Sequence, residues 1–529
     1  MTVNSLQITY KSANVSPKNH IKSHLDSYNE LLTGSNTAFQ KDIMYPLKRK
    51  KQVQLALLCI FAGPLLTSFI ISNSHAQSLD NITAATRTFA IENAKIVQRP
   101  GQVINNATIV VRDGLIEAIG QNVSIPSDAN LIDGDSLTIY AGFIDGLSHT
   151  GMPEPPRTPP DQSLLDRKNK ISKANPPNER AGIQPQRDAY GLLDAAHKSI
   201  ADLRKAGFTV AHVVPYGRML PGKGVIILLA GDSKEEMIVK RDVTMFAQLT
   251  GASGVYPTTP MGVMAKMRQL YKESSRRKRQ EALYASNASG MARPEFDEAH
   301  HALFPVIDGD LPILMHTTGP LDIYRALRLQ ASLQYPLMLS GLYGSFESVD
   351  LLLDADLPMF LTLKLPKDPE KKKDKEDGAE EATEEEMVDV MKPYDPSLHV
   401  TDHTSTEIER INLEARRKIF HNEYLATAAT LYDTGLNFGF STKDVKTTDI
   451  HGNLRKMIAT GLSEDAALAS LTTIPAELLG LSGSMGSVER GKMANLVVSK
   501  GPIFDDSSKI RYVFVEGQKF EYNEDKKEE

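Results

Sequence analysis

Polar residues that close short apolar runs are the places where this sequence could carry chemistry, and three of them stand out. Ala141-Gly142-Phe143-Ile144 is followed by Asp145-Gly146-Leu147-Ser148-His149-Thr150-Gly151, Pro312-Ile313-Leu314-Met315 ends in His316, and Leu436 to Phe440 is followed by Ser441, Thr442, Lys443 and Asp444. Imidazoles and carboxylates at strand ends can hold a divalent ion or move protons, and an ammonium placed there can polarise a carbonyl. Asp145 reads as a carboxylate that hydrogen-bonds backbone at its strand end. His149 reads either as a ligand or as a hydrogen-bonded histidine with no such role, because a polar pocket satisfies a lone imidazole easily. Of the remaining histidines, His197 (near Asp194 and Lys198) and His421 read as surface, and His212 as a mid-strand core residue. His300, His301 and His451 lie near loops or helix starts, where they offer unconventional ligands.

The elements that must position these groups alternate in type. Apolar strands are expected at Thr209 to Val214, Val225 to Ala230, Pro312 to His316, Pro336 to Ser340, Leu357 to Leu363 and Leu436 to Ser441. Helix-like spacing fills Tyr190 to Ala206, Leu321 to Leu333, Glu407 to Asp433 and Glu464 to Leu471. Such repeated βα units imply an α/β fold with a parallel sheet closed as a (β/α)8 barrel, whose working groups sit at the carboxyl ends of the strands. Two segments interrupt the pattern. Pro153 to Arg187, rich in proline, lysine and aspartate, reads as a loop over one barrel end, and 364–386, with Lys371-Lys372-Lys373 and Glu384-Glu385-Glu386, as a solvated charged insert.

Both flanks of the α/β region are β-rich. Phe89 to Val97, Ala107 to Val111, Leu115 to Ile119 and Leu137 to Tyr140 are separated by Pro100-Gly101, Asp113-Gly114 and Asp133-Gly134, and Asp-Gly between apolar runs is a strong hairpin signal. Asn495 to Ser499 and Tyr512 to Glu516 repeat the pattern near the far end. One small β-sandwich built from both ends and interrupted by the barrel is the economical arrangement. The expected division is therefore 77–140 and 483–529 for the sandwich, the latter including an acidic tail, and 141–482 for the barrel.

Lys48 to Lys51, an apolar run from Leu55 to Ile71 and Ser74-His75-Ala76 have the order of a secretory signal peptide over 44–76. Met44 stands where such a peptide begins, which leaves 1–43 as a polar extension or a misassigned start. The competing reading is an uncleaved membrane anchor, because Val53 to Ile71 is just long enough to span a bilayer. The single cysteine, Cys59, lies within this run, so cleavage leaves a chain without thiol or disulfide chemistry, as suits a bacterial periplasm or secretion. A net charge of −6 gives no basic footprint for nucleic acid.

The segment Ala141 to Gly151 resembles the amidohydrolase superfamily signature, in which a strand ending in Ile-Asp is followed by His-x-His and glycine. Thr472 to Leu481 and Gly486 to Val498 are similar to that superfamily's last helix and its return into the β-domain. Ala206-Gly207-Phe208-Thr209 and Tyr256-Pro257-Thr258-Thr259-Pro260-Met261-Gly262 resemble the imidazolonepropionase-like branch. The resemblance implies a metal-activated water, with zinc the usual ion, that cleaves a carbon–nitrogen bond in a small amide. Catalytic zinc needs about three protein ligands and an open position. Set against the family pattern, His149 and His316 match two ligands, but Leu147 replaces the first histidine, Ser340 the one expected on the sixth strand, and Lys443 the aspartate of the eighth.

Asp444 can serve as a substitute only if the strand bulges or ends before it. Lys443 and Asp444 are the catalytic candidates, Ser340 and Tyr256 the substrate-binding ones, and His149 and His316 the metal-binding ones. Two kinds of function follow. One is an exported hydrolase of small amides, with a divalent metal or with Lys443 polarising the carbonyl alone. The other is a silent barrel that partners an intact amidohydrolase relative. A homo- or hetero-oligomer is expected in either case, and a binding protein using the old pocket is a further option.

Overall fold

The computed structural model describes residues 88–155, 166, 168–369 and 403–522. The expected extension 1–43, the signal segment 44–76, most of the charged insert 364–386 and the tail beyond 522 lie outside the described residues. Those described all belong to one compact unit, Leu79–Glu529.

Turn chemistry organises the first strands. β1 (Phe89–Arg99), β2 (Gln102–Arg112) and β3 (Leu115–Gly120) are antiparallel neighbours joined by two-residue loops, with Arg99 opposite Gln102 and Arg112 opposite Leu115. Asp113 and Gly114 both have positive φ (50° and 81°), the backbone that a tight hairpin of matching twist requires. After β4 (Asn130–Asp133), β5 (Leu137–Ala141) lies parallel to β1 and antiparallel to β16 (Leu496–Lys500), and β17 (Lys509–Val515) and β18 (Gln518–Glu521) continue outward. The two ends of the chain thus share one eight-stranded sheet. Its core mixes them, with Ile91, Ile96, Ile109 and Ile139 packed in one cluster with Leu496, Val498 and Phe514. The strands of the expected sandwich therefore pair as one connected sheet.

Between the ends lies a mixed α/β region. β6 (Phe143–Ser148) is parallel to β7 (Phe208–Val213), which follows helix α1 (Lys198–Lys205). β11 (Met245–Gln248), β12 (Ile313–His316), β13 (Leu337–Gly341), β14 (Met359–Thr362) and β15 (Gly439–Ser441) are successive parallel neighbours. Helices α2 (Pro260–Ser286), α3 (Pro320–Leu333), α4 (Val349–Ala355) and α5 (His403–Asp433) connect them, and α6 (Ile450–Ala459), α7 (Glu464–Leu471) and α8 (Thr473–Leu478) follow. Beyond β15, Lys443 N donates to Leu147 O (3.0 Å), so the outer strands of the two sheets meet.

One expectation fails. β9 (Val225–Leu228), expected as a parallel strand, runs antiparallel to β7; β8 (Gly222–Lys223), just before it, runs antiparallel to β11, and β10 (Ile238–Lys240) pairs antiparallel with β9. The reason is chain length. Only 214–221 separate β7 from β8, and a parallel crossover needs a dozen or more residues, so the chain turns back on itself.

Candidate active site

Three strand ends come near one another, close enough for the Lys443 charge to act on both His149 and His316. β6 delivers His149 one residue past its end, β12 ends on His316, and β15 ends at Ser441, two residues before Lys443. Asp145 is fully buried and ties two of these strands together: its Oδ1 accepts from Leu147 N (3.2 Å) and Thr442 N (3.0 Å), and its Oδ2 accepts from the Thr442 hydroxyl. Burial raises its pKa to about 7 even though these hydrogen bonds favour the charged form. This is the backbone-binding role read from its position.

His149 is held from two sides. Its Nδ1 donates to Val214 O (2.8 Å), so the proton sits on Nδ1 and Nε2 is left as an acceptor, while Tyr216 stacks on the ring at 3.9 Å. Burial lowers its pKa to about 4; the Val214 carbonyl opposes that, and the Lys443 ammonium adds to it. His316 is buried, with its Nδ1 3.4 Å from the Ser340 hydroxyl, and burial followed by the Lys443 charge lowers it to about 3. Both imidazoles are therefore neutral at pH 7. Phe246 packs between them, 6.2 Å from one ring and 6.3 Å from the other.

Lys443 and Asp444 both reach the cleft. The condition set for Asp444, that the strand end before it, is met: β15 stops at Ser441 and Asp444 adopts a left-handed backbone (φ 62°). This turn brings the carboxylate back onto its neighbour, and Lys443 Nζ donates to Asp444 Oδ2 at 2.6 Å. The lysine side chain is 9% exposed and the aspartate 45%. Burial pushes the Asp444 pKa up, but Lys443 and the two histidines outweigh it and hold the carboxyl below its usual range. A cleft of about 200 Å³ opens here, lined among others by Ser148, His149, Glu154, His197, Tyr216 and Lys443.

The other candidates are placed differently. Ser340 is fully buried and, like His316, is not among the residues lining this cleft; its hydroxyl lies 3.4 Å from His316 Nδ1 and 3.5 Å from Met315 O. Tyr256 is also absent from the lining, and its hydroxyl donates to Gly262 O at 3.3 Å. His212 is core, bonded to Gly146 O and the Thr244 hydroxyl. His300, His301 and His451 are engaged by Ser274, Glu281 and Ala206 O, away from the cleft. His197 and His421 are both half-buried, not surface, and His197 caps α1 at the cleft edge. Tyr216, Phe246 and Tyr343, whose ring is 6.5 Å from His316, were not singled out from the sequence. Aromatic residues just past a strand end, as Tyr216 and Tyr343 are, were the available signal.

The donor set does not fit the divalent ion that the resemblance implies. Leu147 is buried and apolar, Ser340 is turned to His316, and the ammonium of Lys443 bears on both imidazoles, where it opposes a dication. Among the described residues no group of three or more His, Cys, Asp or Glu is arranged to hold a metal.

Comparison with known proteins bears on this geometry. Residues 371–519 match the Amidohydrolase family. The structure superposes on an amidohydrolase from Thermotoga maritima with a TM-score of 0.61 at 20% identity, covering 82% of this chain and 100% of that one. The amidohydrolase fold is therefore shared. A Xaa-Pro dipeptidase with bound methionine gives a TM-score of 0.45 at 16% identity, covering 82% of this chain and 100% of that one. No curated protein matches the chain. The amidohydrolase match includes β15, Lys443 and Asp444 and ends within the sheet shared by both ends of the chain.

Proposed function

We propose that the chain is an exported hydrolase of small amides that cleaves a carbon–nitrogen bond in the mouth of a (β/α)8-type barrel, with Lys443 as the cation that polarises the carbonyl. The match to the amidohydrolase family supports a hydrolase. The barrel reading is supported by its interior: Ile144, Val210, Ile226, Phe246, Leu314, Met338 and Phe360, one from each of seven strands, pack into a single buried cluster. Export is supported by the order of residues in 44–76, and the imidazolonepropionase-like branch by Ala206 to Thr209 and Tyr256 to Gly262. Among the described residues no helix is long and apolar enough to cross a membrane.

The observation that carries the proposal is the buried Lys443, held by Asp444 beside two neutral imidazoles. In a poorly hydrated site a fixed ammonium stabilises the negative charge that develops on a carbonyl oxygen when water adds to its carbon. His149 Nε2 accepts the proton of that water and passes it to the leaving nitrogen as the carbon–nitrogen bond breaks. With a pKa of about 4 the imidazole is a weak base, so turnover is slow. That weakness, together with a lysine at a ligand position, favours the second reading, a silent barrel partnering an intact relative.

Hydrolysis of N-acyl amino acids and dipeptides by the purified chain, with and without EDTA, separates the two readings. Activity that survives EDTA and falls about a hundredfold in Lys443→Met is expected. An inactive chain that copurifies with a complete relative supports the second reading.

A further inference from the structure

Helix α5 is unusual in its first half. From 408 to 423 no residue is buried, although the helix carries Ile408, Ile411, Ala415 and Ile419 at spacings of three, four and four. Farther along, Tyr424, Thr427, Ala428 and Leu431 are buried against the body of the protein. At about 100° per residue the four apolar residues of the first half fall within about 80° of one another, roughly opposite the buried set. They form an apolar stripe opposite the packed face, with Ile408 and Ile419 exposed and Ile411 and Ala415 half-buried. Phe420 is accounted for separately, since its ring packs on Phe346 (5.4 Å) and Tyr424 (6.5 Å). Ile408 is 41% exposed and Ile419 51%.

We infer that this stripe binds a second copy of the same chain, with the two α5 helices antiparallel about a twofold axis near Ala415. Charge selects that partner and that direction. Residues 407–414 carry Glu407, Glu409 and Glu414 against Arg410, and 415–423 carry Arg416, Arg417 and Lys418 against Glu423. One half of the stretch is thus net negative by two and the other net positive by two. Antiparallel pairing sets each acidic half beside a basic half, whereas parallel pairing opposes like charges. A twofold pair needs a self-complementary surface, and this helix supplies one. The paired stretch is about 24 Å long, which is short for an obligate interface, so the dimer is reversible and of micromolar affinity.

Sedimentation velocity on the full chain from about 1 to 100 µM tests the inference, with circular dichroism to confirm that each variant keeps its helix content. Monomer should convert to dimer across this range. Ile419→Glu should weaken the dimer about tenfold or more by placing a charge in the apolar seam. Arg416→Glu with Arg417→Glu should weaken it similarly, and adding Glu409→Lys and Glu414→Lys should restore it, because both halves are then reversed together. A chain that stays monomeric throughout, a dimer indifferent to Ile419→Glu, or a quadruple variant no tighter than the double one would overturn the inference.

Discussion

Asp145 shows how one side chain can link strand pairing to the electrostatics of the cleft. Its carboxyl holds a proton up to about pH 7 in the folded chain and loses it near the ordinary value of 3.8 when unfolded. The folded state therefore binds more protons between these values, and stability from this group is present below about pH 4 and is lost as pH rises through about 7. His149, His212 and His316, lowered to about 4, 4 and 3, act in the opposite sense: their contribution is present above pH 6.5 and lost as pH falls towards those values. Comparing a variant with the parent isolates the aspartate. Asp145→Asn keeps an acceptor for Leu147 N and Thr442 N but cannot ionise. Its unfolding midpoint, relative to the parent, should therefore rise between pH 5 and pH 8. Parallel profiles for the two proteins would show that Asp145 is charged in the fold at all these pH values.

The strand ends were legible because residue type and position agree there: His149, His316 and Lys443 each follow an apolar run, and each is found at its strand's end or within two residues beyond it. What was less legible is what lies between them. Met245–Gln248, the strand carrying Phe246 between the two imidazoles, was not among the expected strands, and β9 reads as an ordinary apolar run although it is antiparallel. The short segment 214–221 held that information, since no crossover helix fits in it. The placing of Asp444 needed a backbone angle, φ 62°, that no residue pattern specifies.

Glycine marks a second element-level constraint. Gly341 ends β13 with φ 87°, and a Cβ there would lie 2.3 Å from Thr317 O and 2.8 Å from the His316 ring. Gly341→Ala should cost about 2–4 kcal/mol, from left-handed strain plus overpacking, and should displace the imidazole. Chemical denaturation and the His316 ring resonances measure both effects. A variant as stable as the parent, with an unshifted His316, would show that the strand end can relax.

The whole chain is tied together by β5 and β16, whose pairing joins residues more than 350 positions apart and closes the sheet that both ends share. The β-rich flanks and the alternating middle anticipated this return, because a strand such as Leu496–Lys500, buried at its first four positions, needs a partner on each side. The relation between the shared fold and the residues of its cleft could be read only with both in view. Seven strands contribute to one interior cluster, and the Thermotoga maritima amidohydrolase superposes over 82% of the chain, yet leucine, serine and lysine occupy places where the family resemblance expects ligands. The decisive measurement is the divalent metal content of the purified full chain after equilibration with excess zinc and removal of unbound ion. If Lys443 takes the cation's part, as proposed, on the order of a tenth of a zinc per chain or less should remain. One tightly held zinc per chain, lost on His316→Ala, would contradict the account.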